Sequence, residues 1–390
     1  MKAASRKPGG ARLAALVLLV LPLVTYVFLY LMPLGSVISL SLGNGEMGST
    51  LTHFRDSDPH DPDARATALL VDMKAMTRGQ QATIARQLNQ EVSGFRTLFL
   101  NTARSAGEIE PSFAGIVAFD QRWAEPKYWA ALSENSGAIT WRHFQRATGL
   151  VVSEDGEITA GGDDIYLQIM LRTLTIAGQV TIVTLLISYP LAFAAANASP
   201  RLAAFVLVAV MLSFWTSILV RTTSWVILLQ TTGLVNDFLL WTGLVREPLQ
   251  LIFNRFGAIV AMTHVLLPFA IIPIMNVMRT IPSSQVNASR SLGAGPIESF
   301  LRVYFPQTLR GVAVGGGTVF ILTLGFYITP ALTGGPNDQM LSFYIADFVN
   351  RSLNWGMASA LSVMLLLTVL LLVTIYGSIR WLLNRNVGRV

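Results

Sequence analysis

The sequence predicts an all-α polytopic membrane protein of six transmembrane helices, with an enlarged, mainly helical extracytoplasmic domain between the first and second. Three observations carry this. Hydrophobic residues make up 52% of the 390 and charged residues only 13%, too little polar surface for a soluble chain of this size. Several apolar runs reach the ~20 residues that cross a hydrocarbon core as a helix. Arginines gather at the run ends that a six-span count places on one side, as the positive-inside rule requires.

The first span is Leu13–Leu34, preceded by Lys2, Arg6, Lys7 and Arg12. A cleaved signal peptide would have an apolar region of ~7–15 residues and a small-residue exit. This run is longer, continues through Met32-Pro33-Leu34 and lacks such an exit. A retained anchor is predicted, with residues 1–12 cytoplasmic and 13–42 forming the first helix and its outer exit.

Residues 43–165 read as an outer domain. Gly43 to Ile165 holds 17 acidic and 11 basic residues, net −6, against 5 and 17, net +12, in the rest of the chain. Apolar residues recur at three- and four-residue intervals over Ala64–Met76 and Gln80–Phe99, which predicts helices punctuated by Pro59, Pro62, Pro111 and Pro126. The run Glu154-Asp155-Gly156-Glu157 lacks calcium-loop spacing and reads as a solvated turn. His53, His60, His143 and His264 are scattered, no H-E-x-x-H occurs and cysteine is absent, so no metal site is predicted.

The remaining runs, Leu167–Ala196, Leu202–Leu229, Phe256–Val277, Val312–Leu332 and Met357–Leu383, make a five-helix core over 166–383 with a cytoplasmic tail at 384–390. Both termini then face the cytoplasm, as do Arg201, Arg279, Arg290, Arg302, Arg310, Arg380, Arg385 and Arg389. Arg246, Arg255 and Arg351 fall outside, and Arg172 and Arg221 lie near span ends. Topology accounts for these charges, so no nucleic-acid partner is predicted. Pro190 and Pro268 fall inside spans and should kink them.

None of the four lysines follows a glycine-rich strand-to-helix turn, so no phosphate-binding loop is present. The spans offer no base except His264, and their serines and threonines suit interhelical hydrogen bonds. No catalytic residue and no cofactor is predicted. A secondary transporter or channel, and a sensor-like receptor, are the other classes considered. Acids are almost absent from the spans, against ion coupling. A sensor needs a cytoplasmic output, and the longest cytoplasmic element expected is the loop 280–310.

Within that loop, Asn287 to Pro306 reads as a short amphipathic helix, a turn at Gly293, a second short helix and a proline stop. It has nothing to bury in a bilayer and must meet an aqueous partner. Asn287-Ala288-Ser289, then Gly293, then Val303-Tyr304-Phe305-Pro306 resemble the cytoplasmic "EAA" loop of binding-protein-dependent ABC importer permeases: E-A-A, a glycine four residues after the second alanine, then I-x-L-P. Asn287 stands where the family has glutamate, which removes a charge available to a basic residue of the ATPase. Phe214-Trp215-Thr216-Ser217-Ile218-Leu219-Val220-Arg221-Thr222, Gly233-Leu234-Val235-Asn236, Leu251-Ile252-Phe253-Asn254-Arg255-Phe256, Leu266-Leu267-Pro268-Phe269, Thr329-Pro330 with Gly334-Gly335-Pro336, and Leu353-Asn354-Trp355-Gly356 resemble permeases of the spermidine/putrescine type, first permease subunit. The likeness covers the anchor and roughly Trp141 onward, and nothing is carried onto 45–139.

The resemblance implies the ABC type I importer permease fold in a bacterial inner membrane, surrounded by lipid. The implied partners are an ABC ATPase dimer, a second homologous permease subunit, a periplasmic solute-binding protein and a small organic solute, with a polyamine-like cation favoured. ATPase coupling falls to Asn287, Ala288, Ser289, Arg290, Gly293, Arg302, Val303, Phe305 and Pro306. Arg290 and Arg302 would touch acidic groove residues or serve only topology. Gly293 would supply the φ > 0 of the turn. The substrate path would draw on Trp215, Arg221, Trp225, Asn254 and Thr329. For the tryptophans the alternatives are an interfacial belt or core packing; for Arg221, pairing with an outer acid or snorkelling. Asp237, Asp338 and Asp347 suit a cationic ligand, a docking contact or plain solvation.

Overall fold

The computed structural model describes residues 18–152, 158–160 and 164–387. Lys2, Arg6, Lys7, Arg12, Glu154, Asp155, Glu157 and Arg389 lie outside the described residues. The described chain is helical apart from an antiparallel hairpin of β1 (Leu150–Val152) and β2 (Ile158–Ala160). It divides into two compact units: residues up to Asp163 with Phe348–Leu366, and Asp164–Asp347 with the residues from Leu367 onward.

The first unit begins with α1 (Leu18–Leu42), apolar along its length with none of its most apolar window buried. A helical domain follows, built on α2 (Pro62–Ala75), α3 (Arg78–Glu91), α4 (Phe95–Ser105) and α5 (Pro126–Ser136). Asp61 caps α2 through the N–H groups of Asp63 and Ala64, with Pro62 in the first turn; Thr77 and Gln80 form a capping box on α3. Ala66, Leu69, Leu70 and Met73 share one face of α2 and are all buried. They meet an aromatic core in which Phe95 stands edge-on to Tyr128 at 4.8 Å and to Trp123 at 5.8 Å. Both buried indoles are satisfied: Trp123 Nε1 donates to Thr102 Oγ1 (2.9 Å) and Trp129 Nε1 to the Trp123 carbonyl (2.7 Å). Buried Asp72 accepts the backbone N–H groups of His53 and Phe54, closing the start of the short helix Thr52–Asp56.

The same unit includes the residues that open the last helix. Asn354 Nδ2 donates to Gln90 Oε1 at 2.9 Å. The His143 ring lies directly over Gly356, so a Cβ there would have to displace the ring. Burial, helped by Arg142 and Arg146 and opposed by Glu91, pushes His143 down to about 4.

The second unit comprises α6 (Ile165–Asn197), α7 (Pro200–Trp215), α8 (Ile218–Leu229), α9 (Leu234–Trp241), α10 (Arg255–Thr280), α11 (Ser283–Ser291), α12 (Pro296–Ser299), α13 (Phe305–Leu324) and α14 (Ile328–Thr333), and part of α15 (Trp355–Val387). Five helical stretches among the described residues are long and apolar enough to cross a membrane: Leu18–Leu42, Ile165–Asn197, Ile218–Trp241, Arg255–Thr280 and Trp355–Ser378. Two expected spans are corrected. The run 202–229 is broken, because the backbone turns extended at Thr216 and Ser217 (ψ 150° and 140°) between α7 and α8. The run 312–332 is displaced: its helix starts at Phe305, stops at Gly325, and Ile328–Thr333 forms separately. Pro306 is therefore no stop. It sits near the start of α13, directly after a π-helical turn at Phe300–Tyr304, and the helical path runs through it.

α6, α10 and α13 pack together as the core of this unit. Gly311 and Gly315, spaced as G-x-x-x-G, turn toward α10, where added Cβ atoms would sit 2.9 Å from Ile274 Cα and 3.1 Å from Ala270 Cα. Pro190 lies within α6, and Pro268 and Pro273 within α10. Asp338, read as suiting a cationic ligand, a docking contact or plain solvation, is buried and paired with Arg255 (Nε to Oδ1, 3.0 Å).

Two outcomes follow from this packing. Gly315→Leu should destabilise the detergent-solubilised chain by about 1–3 kcal/mol through overpacking, whereas Gly317→Ala, with nothing within 4 Å of the new Cβ, should leave the melting temperature unchanged. Because folded His143 titrates near 4, below its ordinary 6.5, its stabilising effect is complete above pH 6.5 and lost as pH falls from 6.5 toward 4. Melting curves over that window should lose up to about 1.4 kcal/mol per pH unit, and His143→Gln should flatten the dependence.

Candidate functional site

Two places gather the residues singled out from the sequence. The first is the loop between α10 and α13. α11 ends in a complete Schellman motif: the Ala294 N–H reaches the Ser289 carbonyl (3.1 Å), the Gly293 N–H reaches that of Arg290 (3.0 Å), and Gly293 holds φ +95°. No atom crowds a Cβ at Gly293, so backbone conformation alone demands glycine there. Pro296 opens α12, and Ser289 Oγ donates to Ser299 Oγ at 2.7 Å, pinning α11 to α12. α12 then runs through a π-helical turn, Phe300–Tyr304, into α13 without leaving helical geometry.

Aromatic rings fix that rod to α6. Phe300 lies edge-on to Phe193 (5.9 Å) and Tyr189 (6.4 Å), Tyr304 edge-on to Phe193 (5.6 Å), and Phe305 against Tyr189 (5.7 Å). Tyr189 also shares a hydrogen bond with Thr308 (3.1 Å). The opposite side is open. Leu292 (89% exposed), Ile297 (75%) and Leu301 (55%) stand free on a loop that is otherwise polar. Gly295, Pro296, Ile297, Glu298, Leu301 and Arg302 line a shallow surface cleft.

Asn287, Ala288 and Arg290 are exposed on α11, Ser289 and Val303 are half-buried, and Phe305 and Pro306 belong to α13. Arg302, read as a contact for acidic groove residues or as a topology charge, is exposed and pairs with Glu298 one turn away (3.0 Å). The exposed trio Leu292, Ile297 and Leu301 was missed by sequence reasoning, although three large apolar residues in a polar loop were a visible signal.

The second place lies where α8 meets α10 and α14. Thr222 and Thr329 are fully buried with hydroxyls 3.4 Å apart. Trp225 Nε1 donates to His264 Nδ1 at 3.2 Å, and Arg221 is buried one turn before Trp225. Thr222 and His264 join Arg221, Trp225 and Thr329, whereas two expected members do not. Trp215 is 81% exposed at the end of α7. Asn254 is a helix cap: its Oδ1 accepts the Gly257 N–H (3.0 Å) and its Nδ2 donates to the Gln250 carbonyl. No cluster of three or more potential metal ligands occurs among the described residues.

Residues 188–389 match the family model described as "binding-protein-dependent transport system inner membrane component". The chain is 30% identical to the spermidine/putrescine transport system permease protein PotB of Haemophilus influenzae, over 57% of this chain and 78% of that protein. It is 32% identical to the inner membrane ABC transporter permease protein YdcU of Escherichia coli, over 54% and 74%. A solved bacterial ABC transporter involved in import of the acidic polysaccharide alginate aligns over 73% of this chain and 98% of its own, at 18% identity and a TM-score of 0.47.

The cap at Asn254 has a direct check. Asn254→Ala should destabilise the chain by about 1 kcal/mol, and Asn254→Asp, which keeps the acceptor, should recover most of it in thermal melts.

Proposed function

The chain belongs to the family of binding-protein-dependent transport system inner membrane components, and we propose that it is the permease subunit of an ATP-driven importer whose ATPase docks on the loop from α11 to α12. The supporting observation is mechanical. A partner that grips the exposed Leu292, Ile297 and Leu301 takes hold of α12, and α12 is the first turn of the same rod as α13. Movement of the loop therefore passes into the core helices without crossing a hinge, and the rings of Phe300 and Tyr304 carry it to α6.

In this reading α13 joins the five long apolar stretches as a sixth crossing, both termini and the docking loop are cytoplasmic, and the domain of α2 to α5 lies outside. Arg279, Arg290, Arg302 and Arg310 at the loop support that orientation. A second homologous permease subunit completes the path, an ATPase dimer supplies the energy, and a periplasmic binding protein delivers a small organic solute. PotB relatives carry spermidine and putrescine in their names, which favours a polyamine-like cation. The cluster of Arg221, Trp225, Thr329 and His264 is the proposed path lining. Asn287 leaves hydrophobic docking to do what the family's glutamate does elsewhere.

Gly293→Val tests the coupling. A β-branched residue at φ +95° strains the turn by about 1–3 kcal/mol, enough to reorient α11 while the rest of the chain folds. Reconstituted with its partners, the variant should melt as wild type does yet lose at least ~10-fold in ATP-dependent uptake. Normal uptake would remove the loop from the mechanism.

A further inference from the structure

Three charged side chains are buried among the described residues: Asp72, Asp338 and Arg221. Asp72 is met by His53 and two backbone N–H groups, and Asp338 by Arg255 and the Gly335 N–H. Arg221 is different. It is 9% exposed, and its buried Nε and Nη1 have no hydrogen-bond partner. The Phe214 ring, 6.0 Å from its guanidinium carbon, is at the outer limit of a cation–π contact. The helices packed most closely on α8 are α9, α10 and α14, and α7, which supplies Phe214, carries no acid. They contribute one acid, Asp237, which is exposed and forms no ion pair among the described residues. A buried guanidinium left in this state is costly.

A second observation points the same way. α8 is the half-helix created by the break at Thr216-Ser217, and Ser217 makes no side-chain capping bond. The Ser217 side chain satisfies none of the helix's first-turn N–H groups, and Arg221 adds a full positive charge at the positive end of the helix dipole. Either feature alone opposes the other. Both become favourable once an anion sits at the break, and the planar guanidinium fork suits a carboxylate.

We propose that Arg221 and the first turn of α8 form a receiving site for a carboxylate supplied from outside this chain, by the transported solute or by the neighbouring permease subunit. The proposal rests on the permease reading and gives that reading a chemical requirement. A polyamine has no carboxylate, so a polyamine importer takes it from the neighbour; a carboxylated solute brings its own.

The experiment compares wild type, Arg221→Met, Arg221→Lys and an exposed control, Arg246→Gln. In the isolated full-length chain in detergent, Arg221→Met should leave the melting temperature unchanged or raise it, because it removes a charge without an internal partner. A fall would reveal an internal ion pair and overturn the proposal. The assembled complex, with ATPase, second permease and binding protein in proteoliposomes, is then scored for subunit co-purification and for stimulation of ATP hydrolysis by putrescine, 4-aminobutyrate and succinate. A loss of co-purified second permease of at least about tenfold in Arg221→Met, with recovery in Arg221→Lys, assigns the carboxylate to the neighbour. Intact assembly, with the half-maximal concentration of a carboxylate probe raised at least about tenfold and that of putrescine unchanged, assigns it to the solute. Assembly and every half-maximal concentration within about twofold of wild type overturn the proposal. If no probe stimulates the wild type, undiminished assembly of Arg221→Met overturns it as well. Failure of the permease reading is separate: the wild-type chain would then not co-purify with the ATPase.

Discussion

The close approach of α10 and α13 at Gly311 and Gly315 is the contact on which the geometry of the second unit rests. Helices in lipid gain little from burying apolar surface against each other, so their association depends on van der Waals contact between close backbones. A missing Cβ at two positions one turn apart lets Gly311 and Gly315 meet Ile274 and Ala270. The loop of α11 and α12 joins these same two helices. Once their separation is set, the ends from which the loop projects are set as well. Gly316, on the adjoining face, admits Leu185 of α6 and draws the third core helix in.

From that base the loop needs only two further devices. The Schellman turn at Gly293 reverses the chain within one residue of left-handed backbone. The uninterrupted helical path from Pro296 into α13 makes the second arm rigid. Exposed Leu292, Ile297 and Leu301 are unfavourable in water and become favourable in a partner's groove, so the loop's composition suits association rather than burial within its own chain. The break between α7 and α8 has a comparable logic, since it exposes an uncapped helix start beside an unpaired guanidinium. Both places leave polar or apolar groups unsatisfied within the chain.

Several features were legible in the residues themselves. Gly293 was expected to need positive φ because it separates two amphipathic turns, and it has φ +95°. The apolar runs near 165–197, 255–280 and 355–378 were readable because hydropathy over ~20 residues integrates out local detail. Local exceptions were not readable for the same reason. Thr216-Ser217 is too short a polar interruption to dent a hydropathy average, so 202–229 read as one span. Pro306 read as a stop because proline disrupts a regular helix interior, and only the π-helical turn before it shows how the helical path continues through it. The pairing of Arg302 with Glu298 was legible as an i,i+4 spacing on one helix, and the structure shows it at 3.0 Å.

The sequence by itself determined the class of molecule: apolar runs of membrane length, a basic polar loop between two of them, and a glycine where a tight reversal had to occur. Composition and spacing suffice for these because each depends on residues close together in the chain. Tertiary structure alone decided which polar residues act together. Asn254 and Thr329 were grouped as one path, yet Asn254 closes the start of α10 while Thr329 meets Thr222 and shares a cluster with Trp225 and His264. Asp338 read as a ligand, docking or solvated charge, and only packing shows that Arg255, 83 residues earlier, pairs with it. Whether a charge is satisfied depends on what packing brings within about 3 Å of it, and no local pattern encodes that for Arg221.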